Sequence, residues 1–248
     1  MTRWLGLPVA ASAHAGELDF TMGLVHWLML VLFVGWSTFF VYVLVRFRRA
    51  GHPVASHHGL RGNWSAWIEG AVLTAEATLL VFFAIPTWSA RVDAIPPPQQ
   101  SVVVRVVAEQ FAWNVHYPGP DGVFGRTALQ LVSSDNPLGL DHDDPAAKDD
   151  ITTINELHLP VDRPAIVYLS SKDVVHSFGL PQMRIKQDAT PGLMLPVWFT
   201  PTQKGEWEIV CSQLCGLGHY RMRGFYTIEA QSDYDAWLVE EAAELTAP

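Results

Sequence analysis

Cys211-Ser212-Gln213-Leu214-Cys215-Gly216-Leu217-Gly218-His219-Tyr220-Arg221-Met222 gathers two thiols, an imidazole and a thioether into one short stretch. Cys211 and Cys215 are the only cysteines in the chain. They lie four apart, with His219 four further on and Met222 three beyond that. Thiolate, imidazole and thioether are the donors of copper electron-transfer sites. The ligand loop of a mononuclear blue-copper site supplies one Cys, one His and a weak Met, so a second Cys at this spacing suggests two thiolates bridging two copper ions. Two plainer readings compete. A cysteine pair in an oxidising compartment usually forms a disulfide. Structural zinc sites favour a C-x2-C spacing that is absent here, and they have no use for Met. Gly216 and Gly218 favour a loop that folds back on itself, and His219 and Met222 weigh the balance towards copper.

The surrounding elements must hold that loop. Glu206-Trp207-Glu208-Ile209-Val210 reads as a strand delivering the chain to Cys211, and Gly224 opens the next run, to Glu229. Further β-rich runs cover Ser101 to Ala108, Ile154 to Leu159, Ala165 to Ser170 and Leu195 to Thr200, punctuated by turn residues and without an intervening amphipathic helix. That pattern predicts a β-sandwich or barrel over 101–230. Asp135 to Asp150 is acidic and broken by Pro and Gly, and reads as a surface loop, mostly a solvated excursion. A capped helix is expected from Ser232 to about Leu245 within a C-terminal segment 231–248, packing by Tyr234, Trp237 and Leu238. The chain shows no internal repeat.

The 248 residues are 49% hydrophobic with a net charge of -9, and the apolar residues are concentrated near the start. Met22 to Val45 holds no Asp, Glu, Lys or Arg, and Trp67 to Trp88 holds only Glu69 and Glu76. At ~1.5 Å per residue each run spans a ~30 Å hydrocarbon core. The expectation is a transmembrane hairpin over 22–88 with a connecting loop at about 46–63, followed by a proline-rich linker, 89–100, around Ile95-Pro96-Pro97-Pro98. Arg46, Arg48, Arg49 and Arg61 fall in that loop, which the positive-inside rule places in the cytoplasm. Both termini and the β domain then face outward across a bacterial-type cytoplasmic membrane. From Ser89 onward Asp and Glu outnumber Lys and Arg by 21 to 11, so the acidity belongs to the exported part, and no nucleic-acid partner is expected. Within the N-terminal segment 1–21, Arg3, a short apolar run and Ala13-His14-Ala15 look like a signal peptide with an A-x-A cleavage site. Pro8 interrupts the apolar run, and the first span could direct insertion alone.

Taken together these residues resemble subunit II of cytochrome c oxidase, the copper-carrying subunit of the haem-copper oxidases. The resemblance covers nearly the whole chain. Its motifs are the C-S-x-x-C-G-x-x-H-x-x-M loop, Ser171-Lys172-Asp173-Val174-Val175-His176-Ser177 against S-x-D-V-x-H-S, and Lys186-Gln187-Asp188-Ala189-Thr190-Pro191-Gly192 against K-x-D-A-x-P-G. It implies a two-helix transmembrane hairpin followed by an all-β cupredoxin-like sandwich with a short C-terminal helix. It also implies a binuclear copper centre, CuA, with Cys211 and Cys215 bridging both ions. His176 and His219 would each bind one ion, with Met222 and the Gln213 carbonyl completing the set. The function implied is to accept electrons from a separate cytochrome c and pass them to haem in a catalytic partner, subunit I, where O2 is reduced. No catalytic residue and no haem are expected in this chain.

The chain departs from the family pattern at several points. Gln213 stands where a Glu that contacts a magnesium ion is usual. In Gln110-Phe111-Ala112-Trp113, similar to Q-W-x-W, Phe111 replaces the Trp at which electrons arrive, leaving Trp113 to pack beneath the loop. The W-T-x-x-P pattern is missing after Glu69, and no C-x-x-C-H haem motif follows the copper domain. Glu69 and Glu76, seven apart, share a helix face, and carboxylates in a span call for protein or water. The family has a glutamate at the mouth of a proton pathway, the role expected of Glu69. Asp173 is a candidate carboxylate for docking a basic donor. The alternatives are the CuA subunit of a nitric oxide reductase, a membrane-tethered copper carrier, and a quinol oxidase subunit, which the full set of side-chain ligands disfavours.

Overall fold

A computed structural model describes residues 6–54, 57–59 and 62–245. Arg3 and Arg61, two of the basic residues weighed above, lie outside the described residues, as do 246–248. Among the described residues the chain divides into two units, one of apolar helices (Glu17–Ala94 with Gly6 and Leu7) and one of β-structure, from Ile95 onward together with Pro8–Gly16.

In the first unit α1 runs Ala15–Arg46, starting with Glu17 in its first turn and ending on Arg46. Both charges suit the helix dipole. The second long helix comprises α2, Trp64–Leu79, and α3, Ile85–Val92, joined by a π-helical turn, Leu80–Ala84. Pro86 has no N–H to donate, and just before it the Ile85 amide reaches back to the Leu80 carbonyl. The two helices, of 32 and 29 residues, are long and apolar enough to cross a membrane.

The second unit is a sandwich of two five-stranded sheets. The strands are β1 Val102–Glu109, β2 Ala112–Tyr117, β3 Ile151–Ile154, β4 Glu156–Pro160, β5 Ala165–Ser171, β6 His176–Leu180, β7 Ile185–Ala189, β8 Leu195–Phe199, β9 Gly205–Cys211 and β10 Arg223–Glu229. One sheet is ordered β3-β2-β1-β5-β8 and the other β4-β10-β9-β6-β7. The pairs β1–β5 and β4–β10 are parallel; the other pairs are antiparallel. Strand β1 alternates buried and partly exposed residues, as a half-buried strand must. Val104, Val106 and Ala108 meet Trp113, Leu157, Phe178, Ile209 and Tyr226 in one core.

The single strand expected over Ile154 to Leu159 is two strands in different sheets. The chain changes sheets at Asn155, whose φ of 61° lies in the left-handed region that Asn tolerates better than most residues. Asn155 binds both layers. Its side-chain oxygen accepts the Trp113 amide at 2.9 Å, its own amide donates to the Trp113 carbonyl at 2.7 Å, and its carbonyl accepts the Phe225 amide at 2.7 Å. Strands β2, β6 and β7 were not legible as strands, because their polar and glycine residues mask the alternation.

Helix α4, Gln231–Leu245, closes the chain. Trp237 stacks on His158 at 4.2 Å and meets Tyr117 edge-on, while Tyr234 is buried. The long β2–β3 connection leaves from Tyr117, the end of β2 away from the Gln110–Phe111 turn. It is not wholly a solvated excursion: Asp150 is buried, with Oδ2 2.6 Å from His116 Nε2 and accepting the Gly125 amide.

Asn155→Ala should destabilise the sandwich by about 2 kcal/mol, through a strained φ and a lost buried acceptor. Asn155→Gly, which relieves the φ, should cost less. Thermal unfolding of the detergent-solubilised chain, followed by tryptophan fluorescence, checks the order; equal losses would show that backbone conformation is not the limiting feature.

Candidate metal centre

Strand pairing brings the donors together. Phe178 of β6 lies opposite Cys211 at the end of β9, and the Ser212 amide donates to the Ser177 carbonyl at 2.9 Å. His176, the first residue of β6, therefore stands beside the start of the loop although 35 residues separate it from Cys211. The loop returns through a 3-10 turn, His219–Arg221, and rejoins the sheet where Arg223 pairs with Val210. That closure turns Met222 inward.

The result is a cluster of six donors. The Cys211 and Cys215 sulfurs are 3.7 Å apart and unbonded. His176 Nδ1 lies 3.9 Å from the Cys211 sulfur and 3.2 Å from the Met222 sulfur. His219 Nδ1 and the Met222 sulfur stand 3.6 and 3.7 Å from the Cys215 sulfur, and the Gln213 carbonyl oxygen 3.2 Å from that of Cys211. The Cys211, Cys215 and His176 donor atoms all fall within 4.8 Å of one another. His176 is fully buried, Cys215 and Met222 nearly so, and Cys211 half-buried. Three sulfurs and two imidazoles in a mostly dry cleft form a soft donor set that fits copper and does not suit magnesium or calcium. Two imidazoles and a thioether beside the thiols favour copper over a disulfide.

The two thiols differ in acidity. Burial works against ionising Cys211, but hydrogen bonds from His176 and from the Ser177 and Gln213 backbone outweigh it and lower its pKa to about 6. Burial, reinforced by the neighbouring Cys211, raises Cys215 to about 11. Burial also disfavours the His176 cation, yet Cys211 and Asp173 together hold its pKa above the ordinary value.

Asp173 carries the main surprise. Its Oδ1 lies 2.9 Å from His176 Nε2, and its Oδ2 accepts the Gln110 amide at 2.7 Å. Its carboxyl pKa is held down by His176 and the Gln110 and Val174 amides, which outweigh burial. A carboxylate on one ring nitrogen orients the imidazole and presents the other nitrogen to the cluster. The D-x-x-H spacing could have signalled this. Gln110, missed in the sequence, also donates from Nε2 to the Cys215 carbonyl at 2.6 Å.

Phe111 packs against the loop's glycines, and a Cβ on Gly218 would collide with its ring. Trp113 is wholly buried, edge-on to His176 and Phe178. Leu214, Leu217 and Tyr220 project from the loop, with exposures of 76%, 98% and 87%. Arg221 and Arg223 are exposed nearby, Arg221 at 6.0 Å from the Phe111 ring centre. Glu69 lies on α2, in the helical unit.

The family profile for the cytochrome c oxidase subunit II periplasmic domain matches residues 102–228. An alternative cytochrome c oxidase subunit 2 from Bradyrhizobium diazoefficiens is 31% identical over 239 residues, 96% of this chain and 84% of that protein. A cytochrome c oxidase subunit 2 from Synechocystis is 28% identical over 260 residues, 95% of this chain and 76% of the relative. The crystal structure of the periplasmic domain of subunit II from Bradyrhizobium japonicum aligns with a TM-score of 0.45 at 24% identity, covering 61% of this chain and 99% of that one.

Asp173→Ala should lower the affinity of the cluster for copper by about 10–100-fold, since the His176 ring loses its orienting partner. Chelator competition on the purified chain measures this. Unchanged affinity would leave Asp173 without a part in the site.

Proposed function

This chain belongs to the cytochrome c oxidase subunit II family, and from that premise we propose that it is the electron-accepting subunit of a respiratory terminal oxidase. The observation that carries the reading is the convergence of both thiols, both imidazoles, the thioether and one carbonyl at the end of β9. Cys211, Cys215, His176, His219, Met222 and the Gln213 carbonyl would together hold a pair of copper ions. When bound, such a copper pair supplies one-electron redox chemistry shared over both metals.

The chain's own residues keep the donors in place while charge changes. Asp173 fixes the His176 ring, Gln110 pins the Cys215 carbonyl, and Trp113 backs His176 from the core. Donors held this firmly need little rearrangement when an electron arrives. The buried Met222 and Cys215 keep water from that side of the cluster. Electrons would then pass to haem in a catalytic partner, subunit I, where O2 is reduced. Arg46, Arg48 and Arg49 support a cytoplasmic loop between the spans and a β domain on the periplasmic side.

Donor docking is better supplied by the loop than by charge. The Asp173 carboxylate is committed to His176 and Gln110, and the acidic β2–β3 connection leaves from the end of β2 away from the cluster. Leu214, Leu217, Tyr220 and the Phe111 edge form an apolar rim, flanked by Arg221 and Arg223. A separate cytochrome c with an apolar patch around its haem fits that rim. Glu69 is assigned to proton uptake on the cytoplasmic side.

Purified complex should consume O2 with reduced cytochrome c as donor; a complex that reduces NO and not O2 would replace this reading with a nitric oxide reductase. The donor's on-rate should change less than about threefold between low and physiological salt, whereas a steered pair gains at least about tenfold at low salt. Glu69→Gln should slow turnover and proton uptake together, and an unaltered pair of rates removes Glu69 from the pathway.

A further inference from the structure

Ala13-His14-Ala15 has the small-residue pattern of a signal-peptidase site, yet the structure builds this segment into the β domain. Ala11 and Ala15 are wholly buried, and Ser12 and His14 are buried beside them. The Ala11 amide donates to the Gln182 carbonyl at 2.8 Å, the Ala13 amide to the Thr200 carbonyl at 3.0 Å, and the Thr202 amide to the Ala11 carbonyl at 2.8 Å. Ser12 pairs with Pro201 as a β-bridge, and its hydroxyl donates to the Met183 carbonyl at 2.8 Å. The Arg184 guanidinium donates to the Pro8 and Val9 carbonyls.

These partners belong to both layers of the sandwich. Gln182, Met183 and Arg184 form the β6–β7 turn, in the sheet that ends on β7, and Thr200–Thr202 follow β8, the last strand of the other sheet. Residues 8–15 therefore tie the two edge strands together, at the opposite end of β6 from His176. Small residues have a second explanation here, because Ala11 and Ala15 leave room for backbone to approach backbone. Removing the segment would strip the carbonyl of buried Met183 and those of half-buried Gln182 and Thr200 of their partners, a costly state where water cannot replace them.

We infer that residues 8–15 are retained in the mature chain as a strap across the open flank of the sandwich, and that the bond after Ala15 is not a processing point. Ala15 is covered and its amide donates to the Ser12 carbonyl at 3.1 Å, so the residue before this bond is built into the domain.

The test uses the chain within its purified complex. Intact mass should place the mature start at or before Pro8, and a start at Gly16, or anywhere past Pro8, overturns the inference. Hydrogen exchange on the same complex gives an independent reading of the strap's role. The peptide covering residues 8–15 should exchange as slowly as β8, at least about 100-fold slower than an unstructured peptide. Exchange at the unstructured rate would overturn the strap even if the residues were retained.

Discussion

Two thiols held 3.7 Å apart in a buried cleft can both ionise only if positive charge lies between or beside them. Coulomb repulsion between unit charges at that distance is several kcal/mol even at an intermediate dielectric of about 20. The chain meets the demand halfway. Hydrogen bonds make Cys211 the more acidic thiol, at about 6, and leave Cys215 raised to about 11. A cationic ligand that displaces the second proton gains both thiolates at once, and its binding releases protons.

Everything around the pair keeps the requirement from relaxing. If β6 slipped against β9, His176 would leave the Cys211 sulfur; the antiparallel pairs at Phe178 and Gly179 prevent it. If the loop swung out, Met222 would lose its place, and the return into β10 at Arg223 prevents that. Asn155 does comparable work, since two of its hydrogen bonds anchor Trp113, which backs His176, and a third ties it to Phe225 in the other sheet. The site is therefore a property of the sandwich register as much as of the ligand loop.

How far the sequence disclosed this depends on how local each feature is. Cys211, Cys215, His219 and Met222 were legible because covalent spacing alone brings them together. His176 became legible only through the resemblance of its flanking segment, since a lone histidine carries no sign of a partner 35 residues away. Asp173 reads in the sequence as a carboxylate for docking a donor, because composition shows its charge and not its acceptor role. The two-helix hairpin, the β-sandwich and the terminal helix followed from periodicity. The change of sheets at Asn155 did not, because Ile154 to Leu159 alternates well enough to pass for one strand. The N-terminal strap was hidden for the opposite reason: its small residues imitate a processing signal.

The proposed function requires that the six donors hold two copper ions sharing one electron. Electron paramagnetic resonance of the copper-loaded chain, with copper counted per polypeptide, tests it most directly. Two coppers per chain and a seven-line hyperfine pattern, from one electron spread equally over two copper nuclei, are the predicted result. One copper and a four-line pattern would contradict it and reduce the loop to a mononuclear site.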